Sequence, residues 1–351
     1  MSINHISYNS IVKNLTCCTN QGYIVYGLDP SLEKKLFVEL DGGVGVMKMH
    51  EKTNIIILVG GGDTPFKSKD TVMLWDQNKK QGIMEVDMRE PIKNALIVKE
   101  KIITVVEKKI CIFDWAGSLL STKSTYANDK GLCVISKDLE VVVTLGTKKG
   151  EIAIWKHMKD IYKTIDAHTT NLEAVAVSTN GKYVATASET GTLIKVFNTE
   201  TCNLEYEFRR GAQSAVIYDL AFNSDATLLA CCSGNGTVHL FELYTDPLET
   251  KNTKSLFSGF KGFLPKYFAS EWGFKQINLG NTSKAICAFD ENNVLHVTLY
   301  DGTYFRISST IVNTESVTGS TGSNASNASN VTILTKDYNN VQQGNLHINN
   351  K

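Results

Sequence analysis

Tyr183-Val184-Ala185-Thr186-Ala187-Ser188-Glu189-Thr190-Gly191-Thr192-Leu193-Ile194-Lys195-Val196-Phe197 reads as two short strands joined by a tight turn. Small, β-branched and aromatic residues suit a pleated surface, and Thr190-Gly191 supplies the turn chemistry. Working outward, residues 174–177 precede this hairpin and residues 204–208 follow it, with turns at Asn180-Gly181 and 198–203. The unit therefore has four strands in sequential order. Its third strand recurs at residues 22–26, 71–75, 109–113, 150–155, 191–197 and 236–241. The closing aromatics Trp75, Phe113, Trp155, Phe197 and Phe241 stand 38, 42, 42 and 44 residues apart. Such a period belongs to four-stranded propeller blades.

A seventh copy, residues 302–307, ends 66 residues after Phe241, so blade six must carry a long loop, placed at residues 244–270. A Ser/Asn/Gly-rich stretch, 315–330, is expected to be disordered, because it cannot bury enough apolar surface to offset its ordering entropy. The strand-like run 331–334 beyond it is expected to complete blade seven. The fold class expected is therefore all-β: a single seven-bladed β-propeller, WD-repeat-like, with four-stranded antiparallel blades over residues 1–351.

Composition limits the partners. The 351 residues carry 36 Lys+Arg against 36 Asp+Glu, so no global field draws the chain to nucleic acid or to a membrane. Anion binding must be local. No basic-then-apolar leader opens the sequence and no apolar run of about 18 residues occurs, which gives the expectation of a soluble, cytoplasmic protein. The eight cysteines show no Cys-x-x-Cys and no partnered His spacing, and read as reduced core residues rather than metal ligands. Gly60-Gly61-Gly62-Asp63-Thr64-Pro65 lacks the Gly-Lys-Ser/Thr of a phosphate loop. Asp166, His168 and Asp219 have no nucleophile on a strand-to-helix elbow, so no enzyme, catalytic residue or cofactor is expected.

The candidate site lies at Phe208-Arg209-Arg210-Gly211, between blades five and six. Consecutive side chains of an extended segment point to opposite faces, so the two arginines should serve two different pockets. Ser188 and Thr192 flank the blade-five turn, and Ser233 and Thr237 flank its blade-six counterpart at the same spacing. Lys195 follows the first set and His239 the second, while His168 can add a donor to the first. Guanidinium, ammonium, imidazole and hydroxyl groups are phosphate ligands. By residue type alone, however, the pair reads more readily as a solvated turn with hydroxyls satisfying local backbone.

Phe208-Arg209-Arg210-Gly211 resembles the Phe-Arg-Arg-Gly signature of the PROPPINs, the polyphosphoinositide-binding β-propellers known in animals as WIPI proteins. Residues 58–62, 130–134, 185–192, 236–241 and 263–268 are similar too, and the likeness is nearest to the shorter WIPI branch. The resemblance implies binding of phosphatidylinositol 3-phosphate and phosphatidylinositol 3,5-bisphosphate in two rim pockets: His168, Ser188, Thr192, Lys195 and Arg209 in the first, Arg210, Ser233, Thr237 and His239 in the second. Lys195 departs from the family, which has Arg there; a lysine lacks the bidentate fork. The resemblance further implies membrane insertion by the blade-six loop, for which Leu256, Phe257 and Phe260 are the candidates, whereas residues 263–268 read as packed against the blade. It implies a monomer, peripheral on preautophagosomal, endosomal or vacuolar membranes, with an autophagy lipid-transfer protein as partner at blade two. The competing reading is a protein-binding scaffold without lipid affinity.

Overall fold

The computed structural model describes residues 2–51, 53–137, 140–243, 253–254, 271–314 and 333–348. Seven blades of four strands each span residues 3–39, 44–87, 94–124, 133–166, 172–209, 217–278 and 285–345, and the short strands Glu271–Trp272 and Thr253–Lys254 extend the blade-five sheet to six. All pairings within a blade are antiparallel. The first strands of neighbouring blades pack on one another and make the inner ring. Apart from the 3-10 turn His157–Lys159, every element among the described residues is a strand.

Both faces of each blade are apolar because both are covered. Second and third strands such as Leu228–Ser233 and Gly22–Gly27 are buried at every position, as continuous hydrophobic runs require. The apolar residues sort into seven clusters, one per interface between adjacent blades. Tyr304 and Leu346 of the last blade pack on Ile6, Leu15 and Tyr26 of the first, closing the ring. Polar bonds add direction to this closure: Tyr8 Oη meets Thr298 Oγ1 at 2.6 Å and Tyr26 Oη donates to the His347 carbonyl at 2.9 Å. A closed ring leaves only short, protected sheet edges.

Fourth strands face solvent, and their sequences alternate accordingly: Gln81–Asp87 and Leu119–Ser124 have no buried residue. This explains a correction to the sequence reading. The strand completing blade seven is Ile333–Asn345, and the part opposite Thr303–Ile307 is the polar run 341–345 rather than the apolar residues 331–334. An outermost strand needs backbone pairing more than hydrophobicity. Cys202 is a second correction. It sits half-buried at φ +62° in the turn after the third strand of blade five, while the other seven thiols are buried; all eight are free.

Phe208 fixes blade five to blade six. Fully buried, it stacks on Phe241 at 4.8 Å and on Tyr206 at 5.5 Å between ring centroids. Phe208→Ala leaves a cavity at this interface and is expected to cost about 3–5 kcal/mol, read as a lower urea midpoint with an unchanged m-value.

Candidate functional site

The strand Leu204–Arg209 begins exposed, like other fourth strands, yet ends in two buried residues, and Arg210 after it is buried as well. Arg209 and Arg210 are 6% and 5% exposed. Buried arginines at the end of an outer strand are unusual and call for polar surroundings. Alternation separates them. Phe208 belongs to the cluster between blades five and six, so Arg209 faces blade four. The next residue turns back towards blade six.

Blade four's side of blade five carries the first set. Ala187 and Ile194 belong to the five–six cluster, which places Ser188 and Lys195 on the face towards blade four with Arg209. His168 arrives from the end of blade four, its Nε2 3.0 Å from Thr186 Oγ1. That hydroxyl donates to the Lys195 carbonyl at 3.3 Å, so it accepts from a His168 protonated at Nε2. Lys195 Nζ donates to the Ala167 carbonyl at 2.8 Å, and Ser188 Oγ lies 3.0 Å from Thr190 Oγ1. Thr192 gives its carbonyl to the Arg210 N–H at 3.0 Å.

The second set is buried throughout. Ser233, Thr237 and His239 share the face of blade six that carries Cys231 and Phe241 against blade five. Ser233 and Thr237 are directly paired, as are Cys231 and His239. Thr237 Oγ1 is 3.0 Å from His239 Nε2. Arg210 is anchored by backbone: its Nε donates to the Gly191 carbonyl at 2.7 Å and its Nη2 to the Gln213 carbonyl. Gly191 must be glycine, since its φ is +61° and a Cβ would lie 1.7 Å from the Ala215 carbonyl oxygen. Gly211, by contrast, has open space where its Cβ would be, at the mouth of the arginine pair.

Burial sets the charge of both imidazoles. Desolvation first, and the Lys195 ammonium second, push His168 down to about 4; desolvation and the Arg210 guanidinium do the same to His239. Both are neutral at pH 7. Burial also lowers Arg210 from its ordinary value, but a guanidinium stays protonated. Each of the two faces thus carries one fixed cation at the strand end, hydroxyls and a neutral imidazole, and the first adds Lys195.

Two elements were not legible in the sequence. Thr186 couples His168 to Lys195, and it read as a core strand residue; its position two before Ser188 on the same face was the available signal. Glu271–Trp272, where the blade-six connection returns, pairs in parallel with Phe208–Arg209 and extends the sheet beside the arginines. Leu256, Phe257 and Phe260, and residues 263–268, lie outside the described residues. Among the described residues no group of three or more His, Cys, Asp or Glu side chains could hold a metal ion, and no helix is long and apolar enough to cross a membrane.

Fold and site define a seven-bladed propeller with a pair of buried arginines at the end of the outer strand of blade five. The PROPPIN family model matches residues 3–275. SVP1-like protein 2 of Pichia angusta is 30% identical over 291 residues, covering 78% of this chain and 81% of its own. Autophagy-related protein 18e of Arabidopsis thaliana is 27% identical over 307 residues, covering 86% and 82%. Among solved structures, Kluyveromyces lactis Hsv2 superposes with a TM-score of 0.73 at 22% identity over 99% of this chain and all of that one. An Atg21 solved in complex with the coiled coil of Atg16 gives 0.68 at 23% identity over 88% and 94%; these two likenesses show the fold. The chain belongs to the PROPPIN family, a family tied to autophagy through its named members.

The depressed histidines bear on acid stability. A base whose folded value lies below its unfolded value of about 6.5 contributes stability that is fully present above pH 6.5 and lost as pH falls towards 4. The slope is at most about 1.4 kcal/mol per pH unit for each imidazole. The double variant His168→Gln with His239→Gln is therefore expected to lose less stability between pH 6.5 and 4.5 than the parent in paired thermal melts.

Proposed function

We propose that the chain is a phosphoinositide effector that binds phosphatidylinositol 3-phosphate and phosphatidylinositol 3,5-bisphosphate through these two sets of residues, one head group at each. The observation that carries this reading is the burial of Arg209 and Arg210 at one strand end, beside two faces that each carry hydroxyls and an imidazole. A charge held this deep is worth its desolvation only where an anion or strong acceptors complete it. A phosphomonoester supplies three acceptor oxygens and about two negative charges. His168, Ser188, Thr192, Lys195 and Arg209 converge on the first phosphate site, and Arg210, Ser233, Thr237 and His239 on the second.

The imidazoles give binding a pH dependence. A bound phosphate dianion favours the imidazolium, so the bound-state value rises above about 4 and binding takes up protons. The imidazoles therefore add a proton-linked gain in affinity that grows as pH falls towards their bound-state value, opposed below about pH 6 by protonation of the phosphate itself. Two weak head-group contacts on one rigid ring act intramolecularly, and hydrophobic anchors at Leu256, Phe257 and Phe260 would add a third. Bound peripherally to preautophagosomal, endosomal or vacuolar membranes, the protein would recruit autophagy partners, among them a lipid-transfer protein at blade two.

Flotation with liposomes carrying single phosphoinositide isomers tests the reading. Arg209→Thr with Arg210→Thr is expected to abolish flotation on 3-phosphorylated lipid while circular dichroism stays β-rich; undiminished flotation would point to a scaffold that meets only proteins. Lys195→Arg restores a bidentate fork and is expected to tighten binding a few-fold, by roughly 0.5–1 kcal/mol, in the same assay.

A further inference from the structure

The rim opposite the arginines carries a cleft. Arg209 leaves the fourth strand of blade five at the edge that holds the turn after Ser188, whereas Asn180-Gly181 and Asn198 lie in the other pair of turns, at the far edge. There a cavity of about 420 Å³ opens between blades four and five, with Lys99, Lys156, Lys159 and Lys182 in its lining against Glu140 and Glu200. Glu200 is committed to an ion pair with Lys156, and Lys163 donates to its carbonyl. The excess charge of the cleft is positive. Lys156 responds to it: burial first, then the Lys159 and Lys163 ammonium groups, lower it from its ordinary value.

Its wall is also apolar. Val141 is buried at the base, and Met158, on the 3-10 turn His157–Lys159, is 75% exposed at the lip. An unbranched thioether left in solvent beside lysines is an adaptable contact for an incoming apolar side chain. Turn residues Asn180 and Asn198 bring backbone and amide groups to the same rim. Concavity weighs against a flat anionic membrane, whereas a single extended chain can enter the cleft and keep its carboxylates on the lysines away from Glu140 and Glu200.

We propose that this cleft between blades four and five docks a short acidic segment of a protein partner, with its carboxylates on Lys159 and Lys182 and an apolar residue against Met158. Because it lies on the rim away from the arginine pair, the cleft stays open when that pair is occupied. Docking is thus independent of the lipid reading.

A fluorescein-labelled peptide of glutamates and aspartates around one leucine, titrated into the full chain by fluorescence anisotropy, tests this. The peptide is expected to bind, with affinity falling as salt rises. Lys159→Glu with Lys182→Glu is expected to weaken it about tenfold. Arg209→Thr with Arg210→Thr is expected to leave it unchanged. The proposal is overturned if the peptide fails to bind, if a lysine-for-glutamate counterpart binds equally, or if the Lys159/Lys182 variant binds as well as the parent. Loss of peptide binding in the arginine variant would assign the binding to the other rim. Phosphatidylserine vesicles form a parallel arm; their retention through Lys159 and Lys182 in place of the peptide would make this rim a membrane surface and overturn the proposal too.

Discussion

Side chains alternate across a strand, and in a closed ring of blades neither face is free. That constraint governs the molecule. Apolar residues of the second and third strands are divided between two neighbouring interfaces, and the division cannot slip by one residue without exchanging the two. Seven apolar clusters, each shared by two blades, are its result. At the end of blade five the same rule separates residues that are adjacent in the chain. Phe208 is spent on the interface with blade six, so Arg209 must look towards blade four and Arg210 back across the rim.

The polar chemistry is held in place by this packing. Arg210 is anchored on the Gly191 carbonyl, which is available because Gly191 adopts a left-handed turn that no larger residue could share. His168 is oriented by Thr186, itself fixed on the Lys195 backbone. Donors positioned before a ligand arrives lose little freedom on binding, which suits sites that must each work at modest affinity.

Much of this was legible in the sequence, and the limits have physical causes. The blade count followed from hydrophobic strands at a steady period, because a third strand is buried on both faces and tolerates little polarity. The fourth strands were harder. Residues 341–345 complete blade seven by backbone pairing alone and carry no apolar pattern to detect. The separation of Arg209 from Arg210 is an inference from period-two alternation, anchored by the place of Phe208 in the cluster between blades five and six. Thr186, by contrast, looked like any β-branched core residue, since its role depends on a histidine eighteen positions away. The parallel pairing of Glu271–Trp272 with Phe208–Arg209 joins segments separated by the first three strands of blade six and the connection after them, beyond the reach of local periodicity.

Isothermal titration of the full chain with the soluble head group inositol 1,3-bisphosphate measures what alternation implies most directly. Two sites per chain are predicted, falling to one in Arg209→Thr and to one in Arg210→Thr. A stoichiometry of one in the parent, abolished by either single substitution, would mean that the two arginines share a ligand, contradicting the account.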